Sequence, residues 1–130
     1  MTKTAIAFTA FASLTGTAVA HHGWGSYDAA KPITVTGAIL TSKFENPHAT
    51  ITVQQSDKTP SDKTQSEKTQ SEKTWTIILA PTSRMTTRGA LANVVAVGNN
   101  VSAYGYPSTV VKDEMRAERI TVDKKTYEMR

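Results

Sequence analysis

The chain has 130 residues, no cysteine and a formal charge of +4, from 15 Lys and Arg against 11 Asp and Glu. That length makes one small domain. The missing cysteine excludes disulfides, thiolate metal sites and a Cys nucleophile, so the apolar core alone must hold the fold. The positive excess is too slight to argue for a nucleic-acid partner.

Residues 1–20 read as a secretory signal peptide. Lys3 supplies the positive start, Ala5 to Leu14 an apolar run interrupted only by Thr9 and Ser13, and Ala18-Val19-Ala20 the small residues that precede cleavage. The run is shorter than the roughly 20 apolar residues of a membrane helix. Cleavage after Ala20 makes His21 the first residue of a mature domain, 21–130, with no membrane span. Its expected location is the periplasm or the cell exterior.

Within that domain the pattern is one of short strands. Ile33, Val35 and Ile39 alternate with Thr34, Thr36 and Ala38, and Gly37 interrupts them where a curved strand needs a bulge or bend. After an Asn46-Pro47 turn, Ala49, Ile51 and Val53 alternate with Thr50 and Thr52 in a second strand. A pentapeptide then runs through four near-identical copies from Gln55 to Thr74, with cancelling charges and no apolar residue. Its five-residue period matches neither helix nor strand, so it is expected to be a solvated low-complexity loop, an overgrown hairpin tip. Trp75 to Leu79 is the third strand. Pro81 with Thr82 or Ser83 opens a short helix through about Leu91, weakened at its end by Gly89. Val97-Gly98-Asn99-Asn100 is a turn, Val101 to Tyr106 the fourth strand and Met115 to Val122 the fifth. Asp123-Lys124-Lys125 turns the chain into a brief last strand, Thr126 to Met129.

Three strands, a helix and two strands is the order of an OB-fold, so the expectation is all-β: a small five-stranded β-barrel with one short helix between strands three and four. The set His21-His22, Tyr27-Asp28, Val35-Thr36-Gly37, Asn46-Pro47-His48, Arg88-Gly89 and Val101 with Gly105 resembles a family of small exported bacterial proteins of unknown function. Those proteins begin with Ala-His-His at the cleavage site and carry a later Asn-Pro-His. The resemblance spans nearly all of the mature chain except the repeat. It implies export and a small β domain and brings no activity with it.

The candidate chemistry lies in the three histidines. His21 and His22 fall at the expected new terminus, and His48 follows the Asn46-Pro47 turn on the polar side of the second strand. A terminal histidine offers its α-amino nitrogen and its ring Nδ1 to one ion, a chelate no internal histidine makes. Amine and imidazole donors suit Cu(II) best among common divalent ions, with Zn(II) next. The amine titrates at roughly 7.7–8.0, so affinity should fall as pH drops. The bland alternative is a His-His tail and a solvated turn histidine.

Other polar residues are weaker signals. Arg84 and Arg88 lie four apart on the expected helix, a spacing able to hold an anion or carboxylate, though plain surface charge is the better account. Asp28 is placed either to orient a ligand ring or to cap a turn. Tyr104 and Tyr106, with Trp75, would make a stacking surface or simply pack. Glu45 stands near His48, but no paired carboxylates, Ser-His-Asp set or phosphate-binding glycine loop is present. The chain therefore reads as a binding protein and not an enzyme. Its partner is either a metal ion at His21, His22 and His48, or a small molecule, glycan or protein on a barrel face.

Overall fold

In a computed structural model the described residues are 23–56 and 73–130. The expected signal segment, His21, His22 and most of the repeat lie outside them. Along the chain come β1 (Ile33–Lys43), β2 (Thr50–Gln55), β3 (Thr74–Ile78), α1 (Thr82–Thr87), β4 (Asn100–Pro107), β5 (Glu114–Val122) and β6 (Lys125–Glu128). The first and last residues of the repeat, Gln55 and Thr74, are the ends of β2 and β3.

The strands hydrogen-bond in the order β3-β2-β1-β4-β5-β6, and β3 also pairs in parallel with β5. That last pairing closes the first five strands into a barrel, with β6 an extra strand on β5. It is the OB-like order the sequence predicts, helix included. Closure turns one face of every strand inward, so Val35, Ile39, Ile51, Val53, Ile77, Val101, Met115 and Ile120 fill a single core. The β-branched residues suit both the pleat and the burial.

The helix is shorter than its sequence suggests. Gly89, at φ +80°, puts the chain in the left-handed region. Its N–H bonds the Thr86 carbonyl and that of Ala90 bonds Met85, a Schellman ending that stops α1 before Leu91. Met85 is the buried residue of α1, and it joins the barrel core.

Gly37 is not itself the bulge. A Cβ there would lie 1.8 Å from the Gln54 carbonyl oxygen, so only glycine permits β1 to cross β2 this closely. The bulge falls three residues on: Ile39 pairs with Val53 and Thr41 with Thr52, leaving Leu40 as the extra residue. One inserted residue reverses which side chains face out. Beyond it Thr41 and Lys43 point to the outer face that an unbroken alternation would have denied them.

Candidate functional site

The bulge assembles a polar outer face across three strands. Thr41 and Lys43 on β1 stand opposite Thr52 and Thr50 on β2, which stand opposite Thr76 and Ile78 on β3. Thr41 and Thr52 share a hydroxyl hydrogen bond of 2.7 Å. Parallel closure then sets Arg116 of β5 beside Ile78. Threonine is small, so this face is hollow: a recess of about 550 Å³ opens over these residues. The β1–β2 loop, with Glu45, Asn46, Pro47 and His48, walls one side, and Gly23 and Tyr27 wall another. Tyr27 is held there by a bridge to Ser108.

Arg116 is the central charged group. Its Nη2 donates to His48 Nε2 at 3.1 Å, and its Cζ lies 4.4 Å from the Trp24 ring centre and 6.0 Å from that of Tyr27. Because a guanidinium only donates, Nε2 of His48 acts as acceptor and the neutral ring carries its proton on Nδ1. Partial burial pulls Arg116 below the ordinary guanidinium range; Tyr27 works against that shift, and the neighbouring Arg84 and Arg130 guanidiniums reinforce it. No carboxylate among the described residues forms an ion pair with Arg116: the pairs there are Lys31 with Asp28 and Lys73 with Asp113.

The carboxylates near the recess are otherwise placed. Glu114, 7% exposed, accepts the Tyr27 hydroxyl at 2.9 Å. Burial first, then this hydrogen bond, pushes the Tyr27 phenol up to about 12. Glu45 is exposed on the rim. Asp28 caps a turn, accepting the Ala30 N–H at 3.0 Å. Arg84 and Arg88 do share a helix face, and what they hold is the last stretch of the chain. Arg84 donates to the Met129 carbonyl, and Arg88 to those of Glu128 and Arg130.

The aromatic residues divide into two groups. Tyr104 and Tyr106 meet edge to face at 6.2 Å, and Trp24 meets Tyr106 at 6.1 Å. Trp75 is elsewhere, donating to Gln55 Oε1 with Lys73 over its ring. Trp24 and Arg116 carry the site's character, and sequence reading passed over both. Arg116 lies between Met115 and Ala117 like any outward strand residue, and only its partner His48 stands out locally.

Of the candidate metal ligands, His48 stands in the recess wall. His21 and His22 lie outside the described residues, although the next residue, Gly23, lines the same recess. Among the described residues alone no three His, Asp or Glu side chains gather as a metal site. No helix among them is long and apolar enough to cross a membrane.

A family described as a family of unknown function, DUF6152, matches residues 10–115. No curated protein and no solved structure matches the chain.

Proposed function

The chain belongs to the DUF6152 family, which has no activity to lend it, and we propose that it is a small exported binding protein holding a small molecule in the recess over β1, β2 and β3. The recess carries this reading. It is of ligand size, it has hydroxyls and one half-buried cation converging on it, and it is floored by Ile78 and threonine methyls. By analogy of fold, the outer face of strands two and three and the adjoining loops are where OB barrels take their ligands. Turnover is not part of the reading, since Arg116 already engages the Nε2 lone pair that would make His48 a general base. A screen of small molecules by thermal shift tests it. Compounds that raise the melting temperature of the mature protein should have no effect on Thr52→Leu, whose larger side chain fills the hollow. Compounds that stabilise both proteins equally would place binding elsewhere.

A second reading, Cu(II) held by His21, His22 and His48 with Zn(II) as the alternative ion, draws support from Gly23 and His48 lining one recess. Copper at His48 would have to displace Arg116 from Nε2 or the proton from Nδ1. Protein beginning at His21 should then bind Cu(II) stoichiometrically, and one extra residue ahead of His21 should weaken binding most. His48→Ala should lower affinity and alter the copper EPR spectrum. Equal binding by all three proteins would reduce the site to a His-His tail.

A further inference from the structure

We propose that the recess ligand is an oxyanion, the carboxylate or phosphate group of a small molecule, received by the unused N–H groups of Arg116. The proposal rests on the recess reading and names the chemical class that the recess selects. A guanidinium has five N–H donors in a planar fork. One meets His48, while the contacts with Trp24 and Tyr27 engage the charge through the rings. Arg116 lines the recess, and no buried side-chain nitrogen among the described residues lacks a hydrogen-bond partner, so the guanidinium N–H groups without a protein partner are open to solvent and not sealed in the wall. They form a two-pronged site that matches carboxylate and phosphate oxygens.

The surrounding charge has the sign such a ligand needs. Burial and the nearby Arg84 and Arg130 make the cationic state of Arg116 costly, and a bound anion offsets that cost. Lys43 adds a positive group on the opposite wall. Glu45 is the opposing carboxylate of the recess, on its exposed rim, whereas Glu114 is occupied by Tyr27 and Glu118 by Tyr106. Thr50, Thr76 and whichever of Thr41 and Thr52 accepts in their mutual hydrogen bond can offer hydroxyl donors to the anion's other oxygens. The same arrangement repels a free cation and leaves a neutral ligand without the strongest contact.

NMR titration of ¹⁵N-labelled mature protein with inorganic phosphate, benzoate and its neutral isostere benzamide tests this. Saturable shifts of the Thr52, Thr76 and Ile78 amides and of Arg116 Nε are expected with benzoate, phosphate or both, and which of the two binds identifies the oxyanion. Benzamide should bind at least about tenfold more weakly, and raising salt should weaken the anions alone. Arg116→Gln should cost tenfold or more. Arg116→Lys, which keeps the charge and loses the fork, should fall between, and it serves if the Gln variant fails to fold. Arg119→Gln, beside Tyr104, should change nothing. Benzamide binding in the recess as tightly as the anions, or anion affinity unchanged in both Arg116 variants, would overturn the oxyanion proposal and leave the recess reading standing. Failure of every probe to move the recess amides overturns it too, and stabilisers equally effective on Thr52→Leu would remove the recess reading with it.

Discussion

Two neighbouring faces of one barrel carry outward side chains of opposite size. Over β1, β2 and β3 they are Thr41, Thr50, Thr52, Thr76 and Ile78, and the surface is concave. Over β4 and β5 they are Tyr104, Tyr106, Glu118 and Arg119, and they fill one another. Arg119 covers the Tyr104 ring at 4.1 Å, the tyrosines meet edge to face, and Tyr106 donates to Glu118. Backbone and pairing are alike on the two faces. The hollow therefore comes from short side chains standing where long ones would close it, and Arg116, facing Tyr106 across β4 and β5, marks the border.

The sharpest way to break the contrast is at that border. A Cβ on Gly105 would lie 2.0 Å from the Arg116 carbonyl oxygen and 2.8 Å from the Ala117 Cα. Both are backbone atoms with little room to yield. Gly105→Ala should cost about 2–3 kcal/mol, read as a lower urea midpoint with unchanged slope. It should also abolish recess binding by displacing Arg116.

Tyr27→Phe tests the inner wall of the recess with a smaller effect. It leaves the buried Glu114 carboxylate without its donor, a loss of about 1–3 kcal/mol. The phenol also predicts a pH dependence. Its folded value, about 12, lies above the ordinary 10.0, so the folded protein holds this proton more tightly than the unfolded chain does. The stabilisation is complete below pH 10 and is lost as pH rises through 12. Ultraviolet titration should show Tyr27 ionising late, and Tyr27→Phe should lack both that step and its share of the alkaline fall in stability. Tyr106→Phe, on the half-buried outer face of β4, should matter less than Tyr27→Phe.

The smallest effect is expected from the repeat. The Gln55 N–H bonds the Lys73 carbonyl at 2.8 Å, so the strand ends already meet as a hairpin. The recess lies toward the other end of that hairpin, at Thr50 and Ile78. Replacing residues 57–72 with a two-residue turn shortens the connection between Gln55 and Thr74 by a little over two halvings, so stability should rise by about 1.3 kcal/mol at roughly 0.6 kcal/mol for each. Oxyanion affinity should be unaffected. A loss in urea unfolding would mean the repeat packs on the barrel.

Alternation in the sequence was enough to place the strands within a residue or two, apart from β1, which runs four residues past Ile39, and to sort the core, because burial on one side of a strand imprints a period of two on the residues themselves. Val35, Ile39, Ile51, Val53, Ile77 and Val101 fall where that period puts them, whereas Ile120 is out of phase with Met115 and Ala117 because the pairing with β4 skips Glu118. The order of strands and helix was likewise enough to point to an OB-like barrel. The turn histidine, His48, was visible as a candidate because Asn46-Pro47-His48 stands out locally.

What only the folded chain decided is the recess. The bulge at Leu40 has no signature in the alternation before it, yet it turns Thr41 and Lys43 outward to meet Thr52 and Thr50. The parallel pairing of β3 with β5 brings Arg116 to His48 across 68 positions of sequence. A local period records which way each side chain points relative to its own strand. It carries no record of how the phase shifts at a bulge or which strands meet when the sheet closes, and the candidate site is built from those two events.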